Sequence, residues 1–234
     1  MSKKVLYLIL CCSLYSAGIA QRVSNEVWVS TGVKIPINKS LAMGVDLTQR
    51  YGTYGLETIF PQVSVRYKVN KWFKPSIDYR LIGRRDFDAP MVFSHRINGN
   101  LQFNWSKDRL SAGLRARYQY SIASVGGNAD AEFDQAFRLK PSLSYDLPDF
   151  PLSPTLSTDW FYSLNHESLG TNRFRHSLSF DVDIDGPHSI DFGIMIDQWV
   201  NDIPRWRFMY NVGYAYAFKS KQKSKSKARN LRDL

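Results

Sequence analysis

The sequence predicts an all-β protein, a transmembrane antiparallel up-and-down β-barrel of about 12 strands, with roughly 10–12 as the range. Three observations predict it: apolar and polar residues alternate along most of the chain, the alternating segments are long, and short turns alternate with longer connections. The chain has 234 residues, of which 44% are hydrophobic, and only two are cysteines. It contains no apolar run of the length of a transmembrane helix, so a polytopic helical membrane protein is excluded.

Residues 1–20 have the organisation of a cleaved signal peptide. Two lysines precede the apolar stretch from Val5 to Leu14, and Gly18 and Ala20 are small residues of the kind that signal peptidase accepts. A lipoprotein signal is the alternative, because Cys11 and Cys12 lie in the apolar stretch, but the apolar stretch would then be very short. We expect an exported mature chain that starts at residue 21 and has no cysteine.

Eleven segments of residues 21–218 carry the alternation that is typical of strands. In chain order they cover residues 26–37, 40–51, 58–69, 72–83, 91–105, 109–121, 134–147, 152–164, 173–184, 188–200 and 205–218. The clearest apolar rows are Val27, Val29, Val33 and Ile35; Leu41, Met43, Val45 and Leu47; Val63, Val65, Tyr67 and Val69; Leu110, Ala112, Leu114 and Ala116; Phe174, Leu178, Phe180 and Val182; and Trp206, Phe208, Tyr210, Val212, Tyr214 and Tyr216. Most segments are long enough to cross a bilayer obliquely.

The connections between these segments alternate in length. Asn38-Lys39 and Asn70-Lys71 are short turns, whereas residues 83–90, 122–133 and 165–172 are longer connections. Short periplasmic turns and longer outer loops are typical of an outer-membrane barrel. A secreted β-sandwich is the alternative, but it would have shorter strands and polar outward faces.

The odd number of segments conflicts with the even strand number of bacterial single-chain barrels. With short turns after the odd-numbered segments, the first segment would begin on the outer side. We therefore favour twelve strands, with one strand split, for example by a short crossing before Glu26; an N-terminus that threads the lumen is the other solution.

The polar rows are predicted to fill the lumen and carry a network of charges. Arginine dominates residues 66–140 and aspartate dominates residues 146–197, so a basic wall could face an acidic one. The candidate network consists of Arg66, Arg80, Arg96, Arg115, Arg117, Arg138, Asp159, Asp181, Asp183 and Asp191. The same rows also carry Glu26, Asp78, Arg173, Arg175, Asp197 and Arg207. Charges at that depth must be paired or hydrated. We favour a pairing network that fills the barrel over a charged eyelet that conducts small anions or zwitterions.

The sequence resembles a family of small outer-membrane barrels of Gram-negative bacteria that is catalogued as domain of unknown function 2490. The resemblance rests on Glu26-Val27-Trp28, Tyr79-Arg80, His95-Arg96 and Gly213-Tyr214-Ala215-Tyr216, and it extends over residues 24–218. It implies the barrel fold and the outer-membrane location, and it implies no reaction.

No residue pattern predicts a cofactor, and the metal and catalytic patterns are weak. Asp181 to Gly186 resembles the start of a calcium loop, but Phe192 stands where that loop needs a glutamate. The favoured function is a non-enzymatic barrel that acts as a narrow porin-like pore or as a structural or accessory component. The alternative is a lipid hydrolase. It would use His166 as the base and Ser168 as the nucleophile. We predict a protein that is not an enzyme.

Most of the positive charge lies in residues 219–234. The formal net charge is +10, and this tail contributes five lysines and two arginines against one aspartate. The body is nearly neutral, so we expect no nucleic-acid partner. Without apolar periodicity the tail is predicted to be disordered and periplasmic, whereas the barrel is expected to contact the lipid and lipopolysaccharide of the outer membrane. Its expected partner is the anionic inner leaflet or an acidic periplasmic protein. The sequence predicts no oligomeric state.

Overall fold

The computed structural model describes residues 22–85, 87, 89–122, 135–148, 150–165, 169–184, 186–200 and 205–218. The strands are β1 (Arg22–Pro36), β2 (Leu41–Gly52), β3 (Gly55–Tyr67), β4 (Phe73–Arg84), β5 (Val92–Lys107), β6 (Leu110–Ile122), β7 (Gln135–Tyr145), β8 (Leu152–Ser163), β9 (Gly170–Asp183), β10 (His188–Trp199) and β11 (Arg205–Ala217). Each of the eleven predicted segments overlaps one of these strands over most of its length. The predicted signal peptide and basic tail lie outside the described residues. No helix in the described ranges is long and apolar enough to span a membrane.

The strands form one closed barrel in which consecutive strands are antiparallel neighbours. The barrel closes between β1 and β11, which are parallel, with Arg22 opposite Arg205 and Lys34 opposite Ala217. Eleven described strands lie within the predicted range, but the favoured number of twelve and the purely antiparallel pairing are both wrong. The extra crossing expected before Glu26 is an extension of β1 back to Arg22. An odd number of alternating strands leaves the first and last pointing the same way, so the closing pair must be parallel.

The two ends of the barrel differ in their connections. The turn end, where β1 finishes, carries residues 37–40, 68–72, 108–109, 146–151 and 184–187. At the loop end, where β1 starts, β2 ends and β3 begins, and the same holds for β4 and β5, β6 and β7, β8 and β9, and β10 and β11. At the turn end, the Asn38 side-chain oxygen accepts the backbone N–H groups of Ser40 and Leu41, both at 2.8 Å. Asn70 makes the same arrangement with Trp72 and Phe73. These asparagines therefore fix the two short turns that the sequence predicted.

Burial in the barrel is inverted relative to a water-soluble domain. Among the described residues, sixteen buried side chains are polar or charged and only six are hydrophobic. Large apolar side chains on the opposite face of each strand are exposed, for example Ile77 and Leu156. The polar rows therefore point into the lumen and the apolar rows point outward.

Gly193 allows β9 and β10 to approach each other inside the barrel. A Cβ at this position would meet the Leu178 carbonyl oxygen and lie 2.8 Å from the Ser179 Cα, and both of these are backbone atoms. Because backbone cannot rotate away, we expect Gly193→Ala to lower the free energy of unfolding by about 1–3 kcal/mol. Urea titration of the refolded barrel in detergent micelles measures this change.

Gly99→Ala is the matched control for this prediction. Gly99 lies on an outward row of β5, and a Cβ there would have no atom within 4 Å. Its stability should change by less than about 0.5 kcal/mol, or rise slightly as backbone freedom falls. Equal effects of the two substitutions would show that contact with β9 is not the reason for a glycine at position 193.

Candidate functional site

The lumen contains an ion cluster centred on Asp197 of β10. This carboxylate is fully buried and accepts hydrogen bonds from Arg175 Nε at 2.6 Å and Nη2 at 2.8 Å. Arg207 Nη2 donates to it at 2.8 Å, and Arg173 Nη1 lies 3.1 Å from it. The register places Asp197 directly between Arg175 and Arg207 on its neighbouring strands. One carboxylate therefore holds three guanidinium groups, one of them in the bidentate geometry that arginine favours.

The same cluster reaches across the parallel seam of the barrel. Arg207 of β11 uses its Nη1 to donate to Glu26 Oε1 of β1 at 2.9 Å. The other oxygen of Glu26 accepts the indole N–H of Trp28 at 2.7 Å. A chain of polar contacts thus runs from β10 through β11 to β1. It ties together the two strands whose pairing closes the barrel.

A second cluster surrounds Asp159 of β8. Arg138 of β7 binds both carboxylate oxygens, through Nη2 and through Nε, the latter at 3.4 Å. Arg115 of β6 donates from Nη2 at 3.5 Å. Asp159 lies at the junction of the predicted basic and acidic walls, and both of its partners come from the basic wall.

A third cluster lies within the basic wall itself. Arg117 of β6 donates to the Asn100 side-chain oxygen at 2.5 Å and to Asp78 Oδ2 at 3.2 Å. The Asn100 amide nitrogen donates to the same Asp78 oxygen at 2.9 Å. The ion pairs of all three clusters join neighbouring or next-but-one strands, so they run along the sheet.

Aromatic rings inside the lumen form cation–π contacts with several of the guanidinium groups. The Arg50 guanidinium lies 3.8 Å from the Trp28 ring centroid and 4.7 Å from that of Phe60. The Arg80 guanidinium lies 4.4 Å from the same Phe60 centroid. Phe161 is 2% exposed, and the Arg138 guanidinium lies 4.0 Å from its ring centroid. These cation–π contacts were not predicted, because an inward aromatic residue looks in the sequence like any other member of a strand.

Two cavities adjoin in the lumen, and Gln62, Arg115 and Arg117 line both of them. The first, the central cavity, has a volume of about 380 Å³, and the second has about 350 Å³. The charged residues around the central cavity are Arg50, Arg80, Arg96, Arg115, Arg117, Arg138, Lys140, Asp159, Arg173 and Arg175. Nine cations and one carboxylate make this a strongly positive space.

The predicted network is only partly the observed one. Arg115, Arg117, Arg138 and Asp159 take part in the clusters described above, together with Asp78, Asp197 and their partners from the same rows. Other predicted members make different contacts.

Arg80 donates to the side-chain oxygen of Gln62 at 2.8 Å, and Arg96 donates to the Ser121 hydroxyl at 3.0 Å. Asp191 accepts from the Asn211 amide at 3.2 Å. Arg66 is exposed and lines the second cavity. Asp181 lies in β9 opposite Asp191, and the side chain of Asp183 lies outside the described residues.

The catalytic hypothesis stays a prediction, because its residues lie outside the described parts of the chain. His166 and Ser168, the hydrolase pair, and Asp185 of the calcium-like segment lie outside them. No group of three or more potential metal-ligating side chains occurs in the described ranges. His95 shares a hydrogen bond with the Tyr79 hydroxyl at 2.7 Å, on the outer surface.

Comparisons with known proteins identify a family and no function. The model of a family described as "Protein of unknown function (DUF2490)" matches residues 25–209. A search among curated proteins gives no significant match. A structure determined in work on the mechanism behind the in-meso crystallization of membrane proteins is similar, at 11% sequence identity and a TM-score of 0.42. That alignment covers 77% of this chain and 78% of the other.

Proposed function

The chain belongs to the DUF2490 family of proteins of unknown function, and we propose that it is a non-enzymatic β-barrel of the outer membrane with a closed lumen. In this role it is a structural or accessory component of the membrane. The observation that carries the proposal is the burial of the Asp197 cluster: Asp197 is 0% exposed and Arg173 is 2% exposed. The packing of the barrel's own charged side chains against one another in the lumen supports a closed barrel.

The outer surface supports the membrane location. At the turn end, the Trp72 and Trp105 rings both stack on Phe103, with centroids 6.2 and 6.3 Å away. At the loop end, Tyr54 packs against Phe87 at 4.7 Å. Exposed aliphatic side chains lie between these levels, including Val63, Ile77, Ile97, Leu156, Leu178 and Ile194. An apolar band between two aromatic girdles is what a bilayer selects in outer-membrane barrels. Recovery of the protein with the outer membrane on cell fractionation tests this location.

If the lumen is closed, the protein should not conduct ions across a membrane. In planar bilayers we expect the purified protein to give no steady openings. Arg115→Ser combined with Arg117→Ser should produce openings, because these side chains lie between the two cavities and their removal would join them. The matched control is Lys39→Ser combined with Lys71→Ser, which removes the same charge from the turns and should stay silent. Heat-modifiable migration on a gel checks that every variant is folded.

A narrow pore is the second candidate function, favoured by the residues that the two cavities share. In that case the unmodified protein would conduct, and Arg117→Glu would reduce its preference for anions. Steady openings of the unmodified protein would contradict the closed-barrel proposal. The non-enzymatic part would be contradicted by release of acyl chains from phospholipid or lipopolysaccharide that is lost in His166→Ala and Ser168→Ala.

A further inference from the structure

The central cavity has more positive charge than its own carboxylates balance. Nine cations and Asp159 line it. Asp78 forms an ion pair with Arg117, and Asp197 forms ion pairs with Arg173 and Arg175. With Asp159, three carboxylates therefore offset the nine cations. These groups together carry an excess of six positive charges. Like charges gathered in a narrow lumen repel one another, and an anion among them relieves the repulsion.

Several donors around the cavity have no protein acceptor. Lys140 makes no hydrogen bond or ion pair with any described residue, although it lines the cavity. Arg80 donates from Nε and Nη2 to Gln62, and its Nη1 donates to no atom of the described residues. The Gln119 side chain is 1% exposed and lines the cavity, and its Nε2 has no hydrogen-bond partner. Buried donors are nearly always satisfied in folded proteins, so the buried Gln119 Nε2, with the unused donors of Arg80 and Lys140 beside it, indicates a missing acceptor at this cavity.

The aromatic contacts fix how one of these donors is presented. The guanidinium carbons of Arg80 and Arg50 lie over the Phe60 ring, 4.4 and 4.7 Å from its centroid. A stacked guanidinium keeps its N–H groups in the plane of the group and directed away from the ring. The Phe60 ring and Gln62 thus position the Arg80 guanidinium, while its Nη1 stays available to a ligand. This is the arrangement in which arginine recognises phosphate and carboxylate oxygens.

We propose that the central cavity binds a compact, soluble, multivalent oxyanion of the diphosphate type, held by Lys140, Arg80 and Gln119. The charge excess calls for several negative charges. The volume of about 380 Å³ falls at the small end of ligand pockets. The site goes beyond the closed-barrel function, because a barrel that conducts nothing can still hold a ligand in its lumen. A phosphate carried on a lipid headgroup could reach the cavity only through an end of the barrel.

Titration calorimetry of the folded protein in lipid-free detergent, with sodium pyrophosphate as the probe, tests this proposal. We expect saturable binding of one pyrophosphate per chain, and no comparable heat from sodium chloride at matched ionic strength. Lys140→Gln should weaken binding about tenfold or more, because a charge-assisted contact is lost and no carboxylate is left unpaired. Gln119→Leu should also weaken binding without lowering the stability of the empty barrel, since the lost amide nitrogen had no partner.

Arg66→Gln is the matched control, because it removes one positive charge from the lumen at the second cavity. Its affinity for pyrophosphate should stay within about twofold of the unmodified protein. The proposal is overturned if pyrophosphate binds no better than chloride, or if Arg66→Gln weakens binding as much as Lys140→Gln. It is also overturned if binding requires added phospholipid, which would identify a headgroup as the ligand. Failure here leaves the closed lumen intact, since conductance tests that separately.

Discussion

Asp197→Ala is expected to destabilise the barrel by about 3–5 kcal/mol, because it leaves buried arginines without their carboxylate. Asp197 binds Arg173, Arg175 and Arg207, whose side chains are at most 15% exposed. Removing one partner of a buried ion pair is far more harmful than replacing the whole pair by apolar groups. Here a single substitution removes the shared partner of three cations. The free energy of unfolding in urea, measured in phospholipid vesicles, gives the size of the effect.

Asp191→Ala is the matched control, since Asp191 lies on the same inward row of β10. Its described hydrogen bond is with the neutral Asn211 amide, so the loss should be about 1 kcal/mol. Asp197→Asn should fall between the two alanine variants because it keeps one acceptor oxygen. If both aspartate-to-alanine changes have the same small effect, water in the lumen satisfies the three arginines, and the Asp197 cluster does not hold the barrel closed.

The difference between Asp191 and Asp197 also marks the limit of prediction from the sequence. Both were placed on the lumen side by alternation, yet Asp191 was chosen for the network and Asp197 was not. The register puts Asp197 opposite Arg175 and Arg207, and puts Asp191 opposite Asp181 and Gly213. Alternation along one strand reports the face of a residue, but it carries no information about which residues of the neighbouring strands lie beside it.

The strands themselves were predictable because a closed barrel gives the two faces of each strand different surroundings. The outward row of Leu110, Ala112 and Leu114 stays apolar throughout, so its period of two is clear. The closure was not predictable in this way. Pairing of β1 with β11 depends on strand number and direction, and the hydrophobic pattern of either strand is the same whether its neighbour is parallel or antiparallel.

Ile194→Arg on the outer face is expected to destabilise the barrel by about 2–4 kcal/mol if a bilayer surrounds it. Ile194 is 45% exposed, and it lies midway along β10, opposite Leu178 and Tyr210. An arginine there would have to leave water for the middle of the apolar band. In a barrel surrounded by water, the same change is a surface substitution worth no more than about 0.5 kcal/mol.

Leu110→Arg is the control that separates membrane depth from the substitution itself. Leu110 is 47% exposed, but it is the first residue of β6 at the turn end. Its arginine could reach the headgroup region, so the loss should be only about 0–1 kcal/mol. The free energies of unfolding of both variants are compared in phospholipid vesicles. A large loss at Ile194 beside a small one at Leu110 requires an apolar medium around the middle of the barrel. Small and equal losses would place the outer face in water and contradict the membrane location.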